Sequence, residues 1–196
     1  MKSKDWVNRQ KNDYFVKKSI KDGYFSRAAY KLIEIEKKFK IISNSKKILE
    51  IGSAPGGWSQ VVFEINPKAQ MYAFDLLDMK YNNPNLIFFK EDFIKFNYTK
   101  LPHKFDLIIS DIAPNTTGHQ STDHLRLASM IEDIITIIDD ISLPSSSFVF
   151  KIWKGSEESK IITSLKKKYK NLHYFKPNAS RRESSEIFIV AKNFLD

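Results

Sequence analysis

The chain has no cysteine, and only four histidines and six glycines, among its 196 residues. Without a thiol it can form no disulfide scaffold, thiolate-bound zinc site, iron–sulfur cluster or cysteine nucleophile. The histidines are scattered, so a histidine-built metal site is not expected either, and no metal is. Long apolar runs are missing as well. The greasiest segment, Ile131 to Ile141, is cut by Glu132, Asp133, Asp139 and Asp140, too polar to span a bilayer. The opening residues carry Asp5 and Asp13 and no apolar stretch, unlike a secretory signal or an acid-poor transit peptide. A soluble intracellular protein with no membrane association is expected.

What remains fits one domain, because ordinary domains run to about 100–200 residues and a chain of this size buries roughly 70% of its unfolded surface. The formal net charge is +9, and its placement is informative. Residues 1–47 hold 14 Lys/Arg against 5 Asp/Glu, whereas residues 48–196 hold 18 of each. A basic arm and helix over about 1–46 therefore precede a neutral body, as in a polyanion binder that releases condensed counterions from phosphates. The competing reading is compositional bias, since Lys outnumbers Arg 27 to 5.

From Lys47 onward, β-rich runs alternate with helical ones. Strands are predicted at Lys47–Gly52, Gln70–Phe74, Leu86–Lys90, Phe105–Ser110, Ser147–Trp153 and Glu186–Ala191, with Leu172–Phe175 as a weaker seventh. Helices are predicted at Trp58–Asn66, Asp123–Ser142 and Glu157–Tyr169, with Asp123 as N-cap. Such alternation predicts an α/β fold, a mostly parallel sheet covered by helices on both faces. The last two strands are only about ten residues apart, too few for a parallel crossover, so they should pair as an antiparallel hairpin. Before the sheet, Ser26–Lys40 reads as an amphipathic helix with Ala28, Leu32, Ile35 and Phe39 on one stripe.

The turn from Glu50 to Trp58 (EIGSAPGGW) follows the first strand and opens a helix, where glycines let a backbone approach a ligand closely. It is neither a Walker A loop nor the G-x-G-x-x-G fingerprint, so phosphate cradling is disfavoured. Asp75 ends the second strand, where an acid can accept hydrogen bonds from the ribose hydroxyls of a nucleoside. Asp92 and Asp111 follow the third and fourth. In a parallel sheet these ends share one edge, so Gly52, Asp75, Asp92 and Asp111 should converge; each aspartate alone would read as a helix cap. Lys151 interrupts the apolar strand Phe148–Trp153, and a lysine there needs a carboxylate partner. Asp111 and Glu186 are the candidates. Lys31 flanks the apolar stripe of the first helix, reading either as a fourth member or as a snorkelling side chain.

Five runs carry a family resemblance: Ser26–Leu32 (SRAAYKL), Gly52–Gln60 (GSAPGGWSQ), Ser110–Asn115 (SDIAPN), Phe150-Lys151 and Ser180–Glu186 (SRRESSE). In order and spacing, over essentially the whole chain, they resemble the FtsJ/RrmJ-type ribose 2′-O-methyltransferases. The resemblance implies a Rossmann-like methyltransferase fold and S-adenosylmethionine as cofactor. It implies a catalytic tetrad of Lys31, Asp111, Lys151 and Glu186, and cofactor contacts at Gly52, Ser53, Pro55, Gly56, Gly57, Trp58, Asp75, Asp92 and Asp111. The runs Ala113-Pro114-Asn115 and Thr117-Gly118, with Trp6, Arg9 and Asp13, resemble the ribosomal branch. The implied partner is thus large-subunit ribosomal RNA or its particle, the acceptor a uridine ribose, the enzyme a monomer. The alternatives are a tRNA 2′-O-methyltransferase of the same fold and a non-catalytic RNA-binding module. Mitochondrial, other organellar, cytoplasmic and nucleolar relatives share this core, so the compartment stays open. Ser53 and Glu50 replace the usual alanine and aspartate, and Glu183 is an acid competing with Glu186.

The sulfonium of such a cofactor makes its methyl electrophilic, leaving the protein to align a hydroxyl and dispose of its proton. Lys151 is either the proton acceptor or a charged group that orients the oxygen.

Overall fold

Lys47–Ile51 forms the first strand, β1, because four apolar or neutralised residues in a row can be buried only when both faces of a sheet are covered. The computed structural model describes residues 12–101, 104–115, 117–155 and 157–195. Trp6 and Arg9 lie outside the described residues. After β1 come α3 (Gly57–Ile65), β2 (Gln70–Phe74), β3 (Leu86–Phe89), β4 (Phe105–Ser110), α4 (Gln120–Ile141), β5 (Ser142–Trp153), α5 (Glu158–Lys166), β6 (Tyr169–Phe175) and β7 (Glu186–Phe194). Two helices precede them, α1 (Tyr14–Asp22) and α2 (Ala29–Phe39).

The seven strands lie in the order β3-β2-β1-β4-β5-β7-β6. Neighbours from β3 to β5 are parallel, while β7 runs antiparallel to both β5 and β6. The predicted hairpin is therefore present, and β7 begins at the edge where β1 to β5 end. One core packs α4 and α5 on one face through Leu127, Ile131, Ile134 and Ile161. The other packs α2 and α3 through Leu32, Ile35, Val61 and Val62.

Several boundaries differ from the sequence pattern. The arm contains α1, whose N-cap Asp13 accepts from the Phe15 and Val16 amides and which ends at Gly23 with φ 79°. Phe15 and Tyr24 pack on Tyr30 and anchor the arm, whereas Tyr14 and Phe25 are exposed. Ala29, not Ala28, is the fully buried start of the α2 stripe. The α4 helix begins at Gln120, three residues before the predicted cap. Asp123 lies inside it, accepting from the Thr117 amide and hydroxyl at 2.8 Å each, which ties the loop after β4 to the helix. The β5 strand starts at Ser142, five residues early, with Ser145 at φ 63° and a register shift opposite Phe105–Leu107. That irregularity, a β-bulge in effect, absorbs Pro144 and the serines that read as a loop.

Candidate active site

At the C-terminal edge of the sheet, the lysine interrupting β5 has found its acid. The Lys151 amine donates to Asp111 Oδ1 at 2.7 Å and to the Asp111 carbonyl at 2.8 Å. Asp111 follows β4, the parallel neighbour of β5, so the pairing follows from strand register. On the other side of the acid, Lys31 reaches Asp111 Oδ2 at 3.4 Å and Glu186 Oε2 at 2.8 Å. Glu186 opens β7 opposite Trp153, and its second oxygen accepts from the Ser180 hydroxyl at 2.6 Å. The sequence offered Glu186 as a partner of Lys151; its ion pair is with Lys31 instead. Its competitor Glu183 is exposed, while Glu186 is buried.

Four elements thus bring two ammonium groups and two carboxylates into one chain, Lys151–Asp111–Lys31–Glu186, with side chains no more than 15% exposed. Burial alone would raise the Asp111 carboxyl, but Lys151 and Lys31 hold it below the ordinary value. Burial alone would lower the Lys31 amine, but Asp111 and Glu186 hold it above. Alternating signs are what make four buried charges tolerable. A cleft of about 450 Å³ opens beside them, lined by Arg27, Lys31, Arg181, Ser184 and Glu186.

The strand order reverses between β1 and β4, the crevice where open α/β sheets bind ligands. Gly52, at φ 82°, turns the chain there, and a β-carbon on it would stand 2.9 Å from Ile112 Cα. Gly56, at φ 111°, is closed over by Tyr81 and Met79, and Gly57 opens α3 against Ser26. These glycines are thus demanded by the protein's own close approaches, a requirement the sequence did not separate from ligand approach. Ser53 is buried with its hydroxyl 3.4 Å from the Phe74 carbonyl, and Pro55 follows in a cis peptide. Trp58 departs from its predicted role: its indole is in the core against Phe188 and donates to the Ala28 carbonyl at 2.8 Å, pinning α2. Asp75 accepts from the Ala54 and Leu77 amides at 2.8 Å each, shaping the loops while keeping free lone pairs. Asp92 is half-buried and accepts from the Ile94 amide at 3.1 Å.

The acids Asp75, Asp92 and Asp111 around this crevice suit a nucleoside that carries positive charge, and no Gly-Lys-Ser/Thr loop competes to bind phosphate. That set of acceptors fits S-adenosylmethionine, and Asp75, Asp92 and Asp111 are the side chains that would hold it. Sheet order, reversed β7 and acid-lined crevice define a Rossmann-like methyltransferase that uses S-adenosylmethionine. The FtsJ-like methyltransferase profile matches residues 24–194, and the chain belongs to that family.

Ribosomal RNA large subunit methyltransferase E of Rickettsia bellii is 38% identical over 202 residues, covering 97% of this chain and 88% of that protein. The protein of the same name in Zymomonas mobilis is 38% identical over 194 residues, covering 96% and 87%. Among solved structures, a ribosomal RNA methyltransferase from Plasmodium falciparum superposes with a TM-score of 0.76 at 30% identity, covering 88% of this chain and 99% of that one. Human methyltransferase-like protein 13 in complex with SAH, at 12% identity and a TM-score of 0.59, shares the fold.

Sequence reasoning gave no role to Ser180, Ser59 or Arg27. Ser180 holds Glu186, and the Ser59 hydroxyl hydrogen-bonds to Glu50. Arg27 joins Asp13 to the Ala179 carbonyl, and Arg181 reaches Asp13 at 3.3 Å. All lie in the quoted runs; Ser180 and Ser59 find partners six and nine residues away, whereas the Arg27 and Arg181 contacts reach 14 to 168 residues along the chain.

Proposed function

We propose that the protein methylates a ribose 2′-hydroxyl in large-subunit ribosomal RNA, using Lys151, Asp111, Lys31 and Glu186 as its catalytic machinery. The observation that carries this reading is the buried Lys151–Asp111–Lys31–Glu186 chain at the crevice mouth. S-adenosylmethionine, when bound, supplies the electrophilic methyl group. The protein's part is to hold the ribose oxygen in line with that methyl and to take its proton.

Lys151 accepts the proton. In its neutral form the amine has two N–H bonds, both used on Asp111 oxygens, and its lone pair is left for the hydroxyl. Asp111 fixes the amine and is itself held by Lys31, which Glu186 and Ser180 position. Arg27 and Arg181, both held by Asp13, line the adjoining cleft together with Glu183. The names of the relatives and the basic N-terminal segment support ribosomal RNA as the substrate, as free RNA or within the large-subunit particle.

Incubation with methyl-labelled cofactor, ribosomal particles and total RNA should place label on one ribose of the large-subunit RNA. Lys151→Ala should abolish transfer while cofactor affinity persists. Label on tRNA would overturn the substrate, label in no RNA the activity, and retained turnover in Lys151→Ala the role of Lys151 as proton acceptor.

A further inference from the structure

The end of β5 carries an aromatic wall that methyl transfer does not use. Trp153 and His124 are stacked, with ring centroids 5.2 Å apart and planes inclined by 28°. His124 Nε2 lies 3.4 Å from the Ser185 hydroxyl, in the loop leading to Glu186. Beside this pair is a cavity of about 380 Å³ between the starts of α4 and α5, within the range of roughly 300–1,000 Å³ usual for small-molecule pockets. Leu125 on its rim is 53% exposed.

The wall adjoins the tetrad. Trp153 is the register partner of Glu186, which places their α-carbons about 5 Å apart. A second, smaller hollow lies between the cavity and the cleft beside Lys31, sharing His124 and Trp153 with the one and Glu183 and Ser184 with the other. Lys151 faces the α2 side of the sheet, while Trp153 packs toward the α4–α5 core. Both nevertheless lie at the C-terminal end of β5, two residues apart, so one strand laid along that edge can meet both. Glu158 in the cavity disfavours a phosphate, and the exposed apolar rim suits a flat base.

We propose that this cavity is a nucleobase subsite, stacking the base of a nucleotide adjacent to the acceptor ribose on the Trp153–His124 wall. The proposal rests on the RNA reading above and adds a determinant of which strand segment is accepted. Base–aromatic stacking tolerates every base, so the subsite selects an unpaired, extruded nucleotide rather than a sequence.

The test uses the full chain with large ribosomal particles as substrate. Trp153→Leu should raise the KM for particles by about tenfold or more, as loss of a stacked base predicts. Trp153→Phe should stay within about threefold of wild type, His124→Ala should raise KM by a smaller factor, and cofactor affinity, which reports folding, should be unchanged in all three. A short RNA spanning the mapped ribose, with abasic replacements at each neighbour, should then bind the wild type weakly at one replacement and Trp153→Leu equally at all. An unchanged KM in Trp153→Leu, a defect confined to kcat, or abasic sensitivity that persists in that variant would overturn the subsite alone. Failure of the wild type to methylate any RNA would overturn both readings.

Discussion

Glu50 illustrates how much one buried carboxyl can do at the end of a strand. It is 1% exposed, with the Ser59 hydroxyl as its partner. Its pKa is pushed up to about 8, chiefly by burial; Ser59 pulls it back, and the Asp75 and Asp111 charges add to the rise. It is therefore largely protonated in the fold at neutral pH but ionised in the unfolded chain. A raised carboxyl pKa means that the native state binds the extra proton, so its contribution to stability falls as pH rises from about 4.5 to about 8. Glu50→Gln removes that dependence. The variant should gain several degrees of Tm relative to wild type at pH 8 and little at pH 4.5, as thermal unfolding across that range would show. The sequence marked Glu50 as a departure from its family without disclosing its protonation, because desolvation is a property of the packed surroundings.

At the scale of elements, the α1 helix divides its surface between anchoring and solvent. Asp13 caps it and also receives Arg27 and Arg181, so its start is fastened to the turn before α2 and to the loop before β7. Lys18 is occupied by Asp22 at 2.6 Å and lies over the Tyr30 ring. Lys17 and Lys21 are exposed and free for phosphates. Replacing both with Gln should lower the slope of log binding constant against log salt by roughly 0.7–0.9 per lost phosphate contact, without changing cofactor affinity. Salt titration of RNA binding measures this, and an unaltered slope would make the helix a solvated face. The charge bias was legible in the sequence, whereas the helix between the Asp13 and Gly23 caps was not predicted from it. Which aromatics anchor the arm was not, since Phe15 and Tyr24 meet Tyr30 only through the fold.

At the scale of the whole molecule, Lys31 and Glu186 join the second helix to the last strand, 155 residues apart. Removing one partner leaves the other as a buried, less-compensated charge, which typically costs about 3–5 kcal/mol. Lys31→Met and Glu186→Leu should each destabilise strongly, and the double variant less than their sum, with a coupling of about 0.5–3 kcal/mol. Urea unfolding of the four proteins gives that number, and strict additivity would show the ion pair to be energetically silent. The sequence alone determined the alternation of strands and helices, the closing hairpin, and the acids and the lysine at strand ends, because period and strand direction are local properties. Only the tertiary structure decided that Glu186 holds Lys31 rather than Lys151, that Trp58 supports the core, and that the glycines answer to Ile112, Tyr81 and Ser26. Those are distances between segments remote in the chain, set by how helices and sheet pack and therefore absent from any local pattern.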